Sequence, residues 1–590
     1  MNSSFSRRTL WLLLVAIVVI WFGNLEYRKL IKPDEGRYAE IPREMVVSGD
    51  WVTPRLNDLK YFEKPPLQYW ATAVAYEVFG EHQWTSRLWA ALTGLAGVLL
   101  VGFAGARLFG RETGIYAALI LGSSSLYALI AHINTLDMGV TFFITLGILS
   151  LLISQQLSGS LENRREQAEP QGAAERATRH TSTVGEERAS TQRSGSDAQQ
   201  VIKAARNWML LAWAAMALAV LSKGLMGVIL PGAALFLYSV LNRDLRIWLR
   251  MHWVSGLLMF LLVAAPWFVL VMRANPEFFQ FFFIHEHFER FTTKVHGRYQ
   301  PWHYFVPVLL MGMLPWTLLM ADALLRTWRG SAAQARTFSA ERFLLVWAVF
   351  IYFFFTISSS KLPSYLLPMF PALALLMGKQ LAAMPTRRAF WLLVPAVPVL
   401  IALLLIAAFA DRFADTPVQQ EMYAAYALWL MVAILLWLGG MAVALFGLWR
   451  GNKLVPIVVL ALSSLLAAQI GLTGYNTIAR ERSAYLIAEA IAPQIKPDVP
   501  FYSVYNYEQT LPFYLKRTLT LVDFQDEMAF GIGQEPHKWL PTVDALAAKW
   551  KTDAEAYAIM PLYAVQILKD KGMDMKEIYR DHQLVVVIKP

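Results

Sequence analysis

The stretch Pro33–Gln68 reads PDEGRYAEIPREMVVSGDWVTPRLNDLKYFEKPPLQ and stands between two long apolar runs. It holds Asp34, Glu35, Arg37, Glu40, Arg43, Glu44, Asp50, Arg55, Asp58, Lys60, Glu63 and Lys64, although the runs on either side are almost free of charge. Ionisable groups gathered at the mouth of an apolar segment mark a functional site by default. A solvated loop explains charge in general. It does not explain a helical pattern that stops at Pro65-Pro66.

Working outward, the chain is 56% hydrophobic and 16% charged, with a mean hydropathy of +0.40. A soluble globular chain is far more polar, so a polytopic α-helical membrane protein is expected. A span needs about 20 apolar residues, and thirteen runs come close to that length: 9–27, 83–108, 113–131, 137–156, 207–222, 225–241, 251–272, 303–325, 341–357, 364–382, 389–410, 422–449 and 455–474. Arg7 and Arg8 precede the first run and no small-x-small cleavage site follows it, which predicts a retained helix with its N-terminus inside. Counting from there, Arg107 and Arg111, then Arg243, Arg246 and Arg250, then Arg387 and Arg388, then Arg450 and Lys453 all fall on cytoplasmic loops. That agreement assigns the net charge of +10 to topology rather than to nucleic acid, for which no binding motif is present. The absence of cysteine excludes thiolate catalysis, disulfides and iron–sulfur sites.

Residues 1–474 thus form the membrane domain, with an outer loop at 27–82. Residues 157–204 are rich in Ser, Arg, Glu, Gln and Ala and predict a disordered cytoplasmic insertion. From 475 to 590 short apolar stretches such as FYSVY, TLVDF and LVVVI alternate with helical segments, predicting an α/β domain on the outer side. No glycine-rich phosphate fingerprint accompanies it.

The outer-face loops collect the unusual polar residues. The first supplies Asp34, Arg37, Glu63 and Lys64, the fourth run begins near Asp137, the loop at 273–302 supplies His285, Glu286, His287 and Arg290, and SSSKLPSYLLP brings Lys361 and Tyr365. Cations retained on the outer face, against the positive-inside bias, suit an anionic partner such as a lipid phosphate. Ordinary interfacial anchoring is the plainer alternative for each one singly. Asp34 suits either a carboxylate catalyst for glycosyl transfer or a helix N-cap, and the residues leave both open. His285 and His287, two apart, could join Glu63 around a divalent metal (Zn, Mg or Mn), but the spacing is unspecific and core or interfacial histidines are the better account of it.

PDEGRYAEIPREMVVSGDWVTPRLNDLKYFEKPPLQYW and SSSKLPSYLLPMFPAL resemble motifs of the bacterial 4-amino-4-deoxy-L-arabinose transferases of the protein O-mannosyltransferase-like superfamily. The resemblance implies a GT-C fold of about 13 transmembrane helices topped by a periplasmic α/β domain. It implies an inner-membrane, monomeric enzyme that moves aminoarabinose from undecaprenyl phosphate to lipid A phosphates and so confers polymyxin resistance. By motif position it makes Asp34 and Asp137 the catalytic acids, Arg37, Lys64, Arg290 and Tyr365 the donor phosphate ligands, and Glu63, His285 and His287 a metal cluster whose need is open. A related GT-C transferase with another polyprenyl-phosphate sugar, or with a protein or glycan acceptor, is the nearest rival. A polyprenyl-lipid flippase is the rival from another class.

Overall fold

The computed structural model describes residues 7–178, 184–289, 300–331 and 338–590. Every expected apolar run coincides with helix. Among the described residues nine helices are long and apolar enough to cross a membrane, from Gln83–Phe109 to Leu454–Thr477. Shorter apolar helices occupy other expected spans, including Arg7–Phe22, Arg111–Ser123 and Met226–Asn242. The run at 303–325 departs from a straight span: Trp302–Gly312 and Thr317–Gly330 meet at 109°. Pro315 lies in the break, where a residue without an N–H cannot continue a helical ladder.

The 157–204 segment also departs from expectation. Backbone helix continues through Leu136–Thr178 and resumes over Val184–Lys223. Ala, Glu, Gln and Arg are good helix formers, so a composition too polar for a core can still extend two helices from the membrane. Residues 179–183 lie outside the described part.

Helices in the membrane part approach closely through small residues. A Cβ on Gly105 would meet Gly114 Cα at 2.9 Å, so the helix Gln83–Phe109 can pack backbone to backbone on Arg111–Ser123. Between the first two long apolar segments stand the helix Asp34–Ser48, a hairpin of β1 (Arg55–Leu56) and β2 (Leu59–Lys60), and the helix Leu67–Phe79.

The C-terminal region forms one six-stranded sheet from β3 (Phe501–Val504), β4 (Thr520–Val522), β5 (Trp539–Leu540), β6 (Tyr557–Pro561), β7 (Lys576–Arg580) and β8 (Leu584–Ile588). The order is β5-β4-β3-β6-β8-β7; β5, β4, β3 and β6 run parallel, and β8 and β7 complete the edge antiparallel. Alternate residues go to opposite faces, as the two-residue repeat of a strand requires. Tyr502, Val504, Ala558, Met560, Val585 and Val587 pack with Leu546 and Trp550, while Phe501, Tyr557, Ile559 and Val586 pack with Ile487 and Ile491. Burial of both faces explains why β8 reads as a continuous apolar run.

This domain seats on the first loop. Tyr507, Leu521, Met528 and Ile532 share a core with Tyr38, Ile41, Met45, Leu56 and Leu59. Asn57 adds polar register, donating to Leu519 O and accepting from Leu519 N, both at 2.7 Å.

Candidate active site

Glu35 anchors the first wall of the site. Its carboxylate takes both Nε and Nη2 of Arg87, at 2.7 and 2.8 Å, and accepts from the Asn134 amide at 3.1 Å. Arg87 also donates to the carbonyls of Leu25, Arg28 and Lys29. Both side chains are fully buried. Burial favours the neutral acid, but the Arg87 charge and its paired hydrogen bonds outweigh it and bring the Glu35 carboxyl down to about 2. This fixes the start of the helix Asp34–Ser48, whose other end closes on Gly49 at φ 72°, a left-handed cap that glycine adopts without penalty.

With Glu35 directed inward, Asp34 and Arg37 line a cavity together with Glu63, Lys64, Asp137, Lys223, Glu286, Ser358–Ser360 and Tyr365. Asp34 makes no cap bond, so the N-cap alternative is not realised; it lies in the first turn and accepts from Arg37 Nη1 at 3.2 Å. The other end of the Arg37 fork pairs with Glu527 of the C-terminal domain. Burial opposes its charge, yet Tyr61 and Glu527 hold the guanidinium well above its ordinary pKa. Lys64 Nζ donates to the Glu63 carbonyl at 2.7 Å and faces Glu286 Oε2 at 3.4 Å. Glu286 is buried on the π-helix Gln280–Glu289, held there by Phe278 and Phe282 packed beneath Phe62 and Trp267.

Asp137 stands in the first turn of Leu136–Thr178 and forms an ion pair with Lys223, the last residue of Val184–Lys223. Lys223 Nζ lies 5.2 Å from the Tyr365 ring centroid. The chain then turns at Gly224, φ 83°. In the sequence Ser222-Lys223-Gly224 looks like a weak join between spans, and sequence reasoning misses the lysine as a site residue. A single cation between two uncharged apolar runs, 207–222 and 225–241, is the signal that finds it.

Six of the nine candidates therefore meet in one cavity: Asp34, Arg37, Glu63, Lys64, Asp137 and Tyr365. Arg290 and the side chain of His287 lie outside the described residues. His285 is exposed, with its ring 5.4 Å from that of Phe281, and it does not line the cavity. Among the described residues no group of three His, Cys, Asp or Glu side chains could hold a metal ion. Lys361 turns away from the cavity's charges and donates to the carbonyls of Gln300 and Ser358.

Two charges of the first loop that do not line the cavity, Arg43 and Glu44, are buried. Arg43 grips Glu40 at 2.5 and 2.7 Å, and Glu44 accepts from the amides of Asn57 and Asp58 at 2.5 and 2.8 Å. Glu44 ties the helix to the hairpin turn, whereas Arg43–Glu40 is a pair within the helix, and the first of these demands is invisible in the local pattern. Asp58 remains exposed, while Asp50 caps its own turn through the amides of Val52 and Thr53.

Comparison with known proteins covers both halves of the chain. Residues 6–167 match the dolichyl-phosphate-mannose-protein mannosyltransferase family and residues 487–589 match the aminoarabinose transferase C-terminal domain. The undecaprenyl phosphate-alpha-4-amino-4-deoxy-L-arabinose arabinosyl transferase of Pseudomonas aeruginosa PAO1 is 28% identical over 607 residues, 99% of each chain. Its counterpart in Erwinia tasmaniensis is 30% identical over 60% of this chain and 56% of its own. The crystal structure of ArnT from Cupriavidus metallidurans bound to undecaprenyl phosphate is 35% identical, covers 99% of both chains and superposes with a TM-score of 0.86; its apo form gives 0.85. A fold and sequence shared from end to end, over the membrane part and the sheet domain alike, place this multi-pass GT-C protein in the aminoarabinose transferase family.

Proposed function

We propose that the protein is an inverting glycosyltransferase that moves 4-amino-4-deoxy-L-arabinose from undecaprenyl phosphate to phosphate groups of lipid A, on the outer face of the bacterial inner membrane. The observation that carries this reading is the end-to-end likeness to a transferase whose crystal structure holds undecaprenyl phosphate. The cavity supports it, because acids and cations from four distant segments converge there, as a sugar with a charged leaving group requires.

The chemistry is a single displacement. A lipid A phosphate oxygen attacks the anomeric carbon from the face opposite the donor phosphate. The bond from that carbon to the undecaprenyl phosphate oxygen breaks, and its electron pair leaves with the phosphate. An attacking phosphate is already anionic near neutral pH, so no strong general base is needed. Catalysis then rests on positioning and charge. Lys64 and Arg37 supply donors to the leaving phosphate, Lys as a point charge and Arg as a planar fork; Tyr365 adds a hydroxyl, and Arg290 has the same role by motif. Asp34 and Asp137 hold the sugar ring, whose ammonium group is a natural partner for a carboxylate. Lys223 fixes Asp137 in place. Transfer of this sugar lowers the negative charge of the cell surface, and polymyxin resistance follows.

The deciding experiment incubates the purified full-length protein in sealed proteoliposomes with undecaprenyl phosphate aminoarabinose and lipid A, then weighs the lipid A by mass spectrometry and assays on which side of the bilayer the donor stands. A mass gain equal to one aminoarabinose residue is expected. Lipid A of unchanged mass, with the donor moved across the bilayer and its anomeric bond intact, would leave a flippase as the better account.

A further inference from the structure

The other charged residues of the cavity all belong to the membrane domain, yet Arg37 reaches a partner outside it. One excursion of the C-terminal domain, from the end of β4 to the start of β5, lies against the first loop behind Arg37. Glu527 pairs with Arg37 Nη2 and is steadied by Gln509 Nε2 at 3.2 Å. Three residues on, Phe530 stacks on Phe281 with centroids 3.9 Å apart and also meets Phe62 at 5.7 Å. A Cβ on Gly531 would meet the Lys60 carbonyl at 2.7 Å, so the excursion touches the β2 backbone. Glu535 then takes Arg55 Nη1 at 3.0 Å and the Lys60 amide at 3.1 Å. Residues 527–535 thereby bridge the first loop and the π-helix that carries Glu286.

The Arg37–Glu527 pair is more than a surface contact. The side chains are only 8% and 10% exposed, so neither charge is left to water. Asp34 takes Nη1, Glu527 takes Nη2, and the buried Nε has no acceptor among the described residues. A guanidinium held at both ends keeps unused N–H groups among its five, and Arg37 lines the cavity, so its fork is pre-set to receive a further oxygen in its plane.

We infer that Glu527 is a positioning residue for the donor phosphate: it holds the Arg37 fork in the orientation that meets the phosphate, so the C-terminal domain completes the donor site of the membrane domain. The inference rests on Arg37 being a phosphate ligand. A carboxylate that merely competed for Arg37 would have the opposite effect on affinity. Removing it would free the cation and tighten binding.

The test measures undecaprenyl phosphate affinity, and KM for donor and for lipid A, on the full-length protein in nanodiscs. Glu527→Ala is expected to weaken undecaprenyl phosphate binding and raise the donor KM about tenfold, the low end of the 10–100-fold that losing a group which orients a ligand costs at metal sites, with the lipid A KM unchanged. Glu527→Gln keeps the shape and one acceptor and falls between wild type and Ala. Glu535→Gln makes the same chemical change on the same excursion, against Arg55, and leaves donor affinity as it was. Unchanged or tighter binding in Glu527→Ala overturns the inference, as does equal weakening by Glu535→Gln. If Arg37→Ala itself leaves affinity unchanged, the phosphate-ligand reading of Arg37 fails and takes the inference with it; if Arg37→Ala weakens binding and Glu527→Ala does not, only the role of Glu527 is lost.

Discussion

Lys223 and Asp137 form an ion pair between the first turn of the helix that opens at Leu136 and the last residue of the helix that closes at Lys223, and the lysine sits beside the Tyr365 ring at the cavity wall. Each partner is the terminal residue or first turn of its helix, so their meeting is set by helix packing and not by a flexible loop. Lys223→Ala leaves Asp137 in the cavity without its cation. We expect at least about a 100-fold loss in kcat with smaller change in donor KM, on the scale seen when an electrostatic group of an active site is removed. Steady-state kinetics on protein of matched folding checks it. Lys223→Ala with kcat near wild type would remove Asp137 and Lys223 from the machinery.

Lys64 is expected to act through charge on the donor. Its ammonium faces Glu286 at 3.4 Å, and an arriving donor phosphate would take over that attraction. Lys64→Ala should lower donor affinity about tenfold or more, and Lys64→Arg should recover only part of it, because a planar fork does not replace a point charge on a short reach. Binding of undecaprenyl phosphate to the two variants gives the comparison.

Part of this site is legible in the order of residues alone. The charged loop at Pro33–Gln68, the acid that opens the fourth apolar run and the SSSKLPSY segment name six residues that do meet. Apolar runs of this length satisfy their backbone in a membrane only as helices, so helix existence follows from composition. Pairing at a distance does not. Arg43 and Glu44 look like solvent residues in the local pattern, yet both are buried, one paired with Glu40 and the other with the hairpin amides. Glu527 sits in a domain that, taken alone, shows no chemistry, and Lys223 looks like a mere break between spans. The bend at 303–325 is hidden for a different reason, since hydropathy counts length and is blind to direction.

The Glu35–Arg87 pair predicts a particular response to acid. The folded Glu35 carboxyl is brought from its ordinary value of 4.5 down to about 2. A group with a depressed pKa binds fewer protons folded than unfolded between those values. Its contribution to stability is therefore present above pH 4.5 and is lost as pH falls toward 2. Thermal unfolding of the full-length protein in detergent should show Tm dropping through that window. Glu35→Gln should lower Tm at neutral pH, because breaking a buried pair by removing one charge costs about 3–5 kcal/mol, and should flatten the acid limb. A variant with the full acid-dependent fall in Tm would mean that another carboxyl sets it.

Gly36 offers a way to separate docking of the C-terminal domain from its folding. The residue lies on the helix Asp34–Ser48 between Glu35 and Arg37, and a Cβ there would stand 2.7 Å from the Gln509 carbonyl and 2.8 Å from the Thr510 amide. Those atoms are backbone of the sheet domain, so they cannot rotate away as a side chain would. Gly36→Ala suits helix propensity and by that measure alone should stabilise by about 1 kcal/mol. Its methyl must instead push the two domains apart, loosening the contacts of Tyr507 and Met528 on Tyr38 and Ile41. We expect faster protease cleavage between the membrane part and the sheet domain, a sheet domain that stays protected once released, and a higher donor KM as Glu527 moves off Arg37. Limited proteolysis read by mass spectrometry, alongside donor kinetics, measures both effects. A Gly36→Ala protein that is more stable than wild type and cleaved no faster would show that helix propensity outweighs the clash.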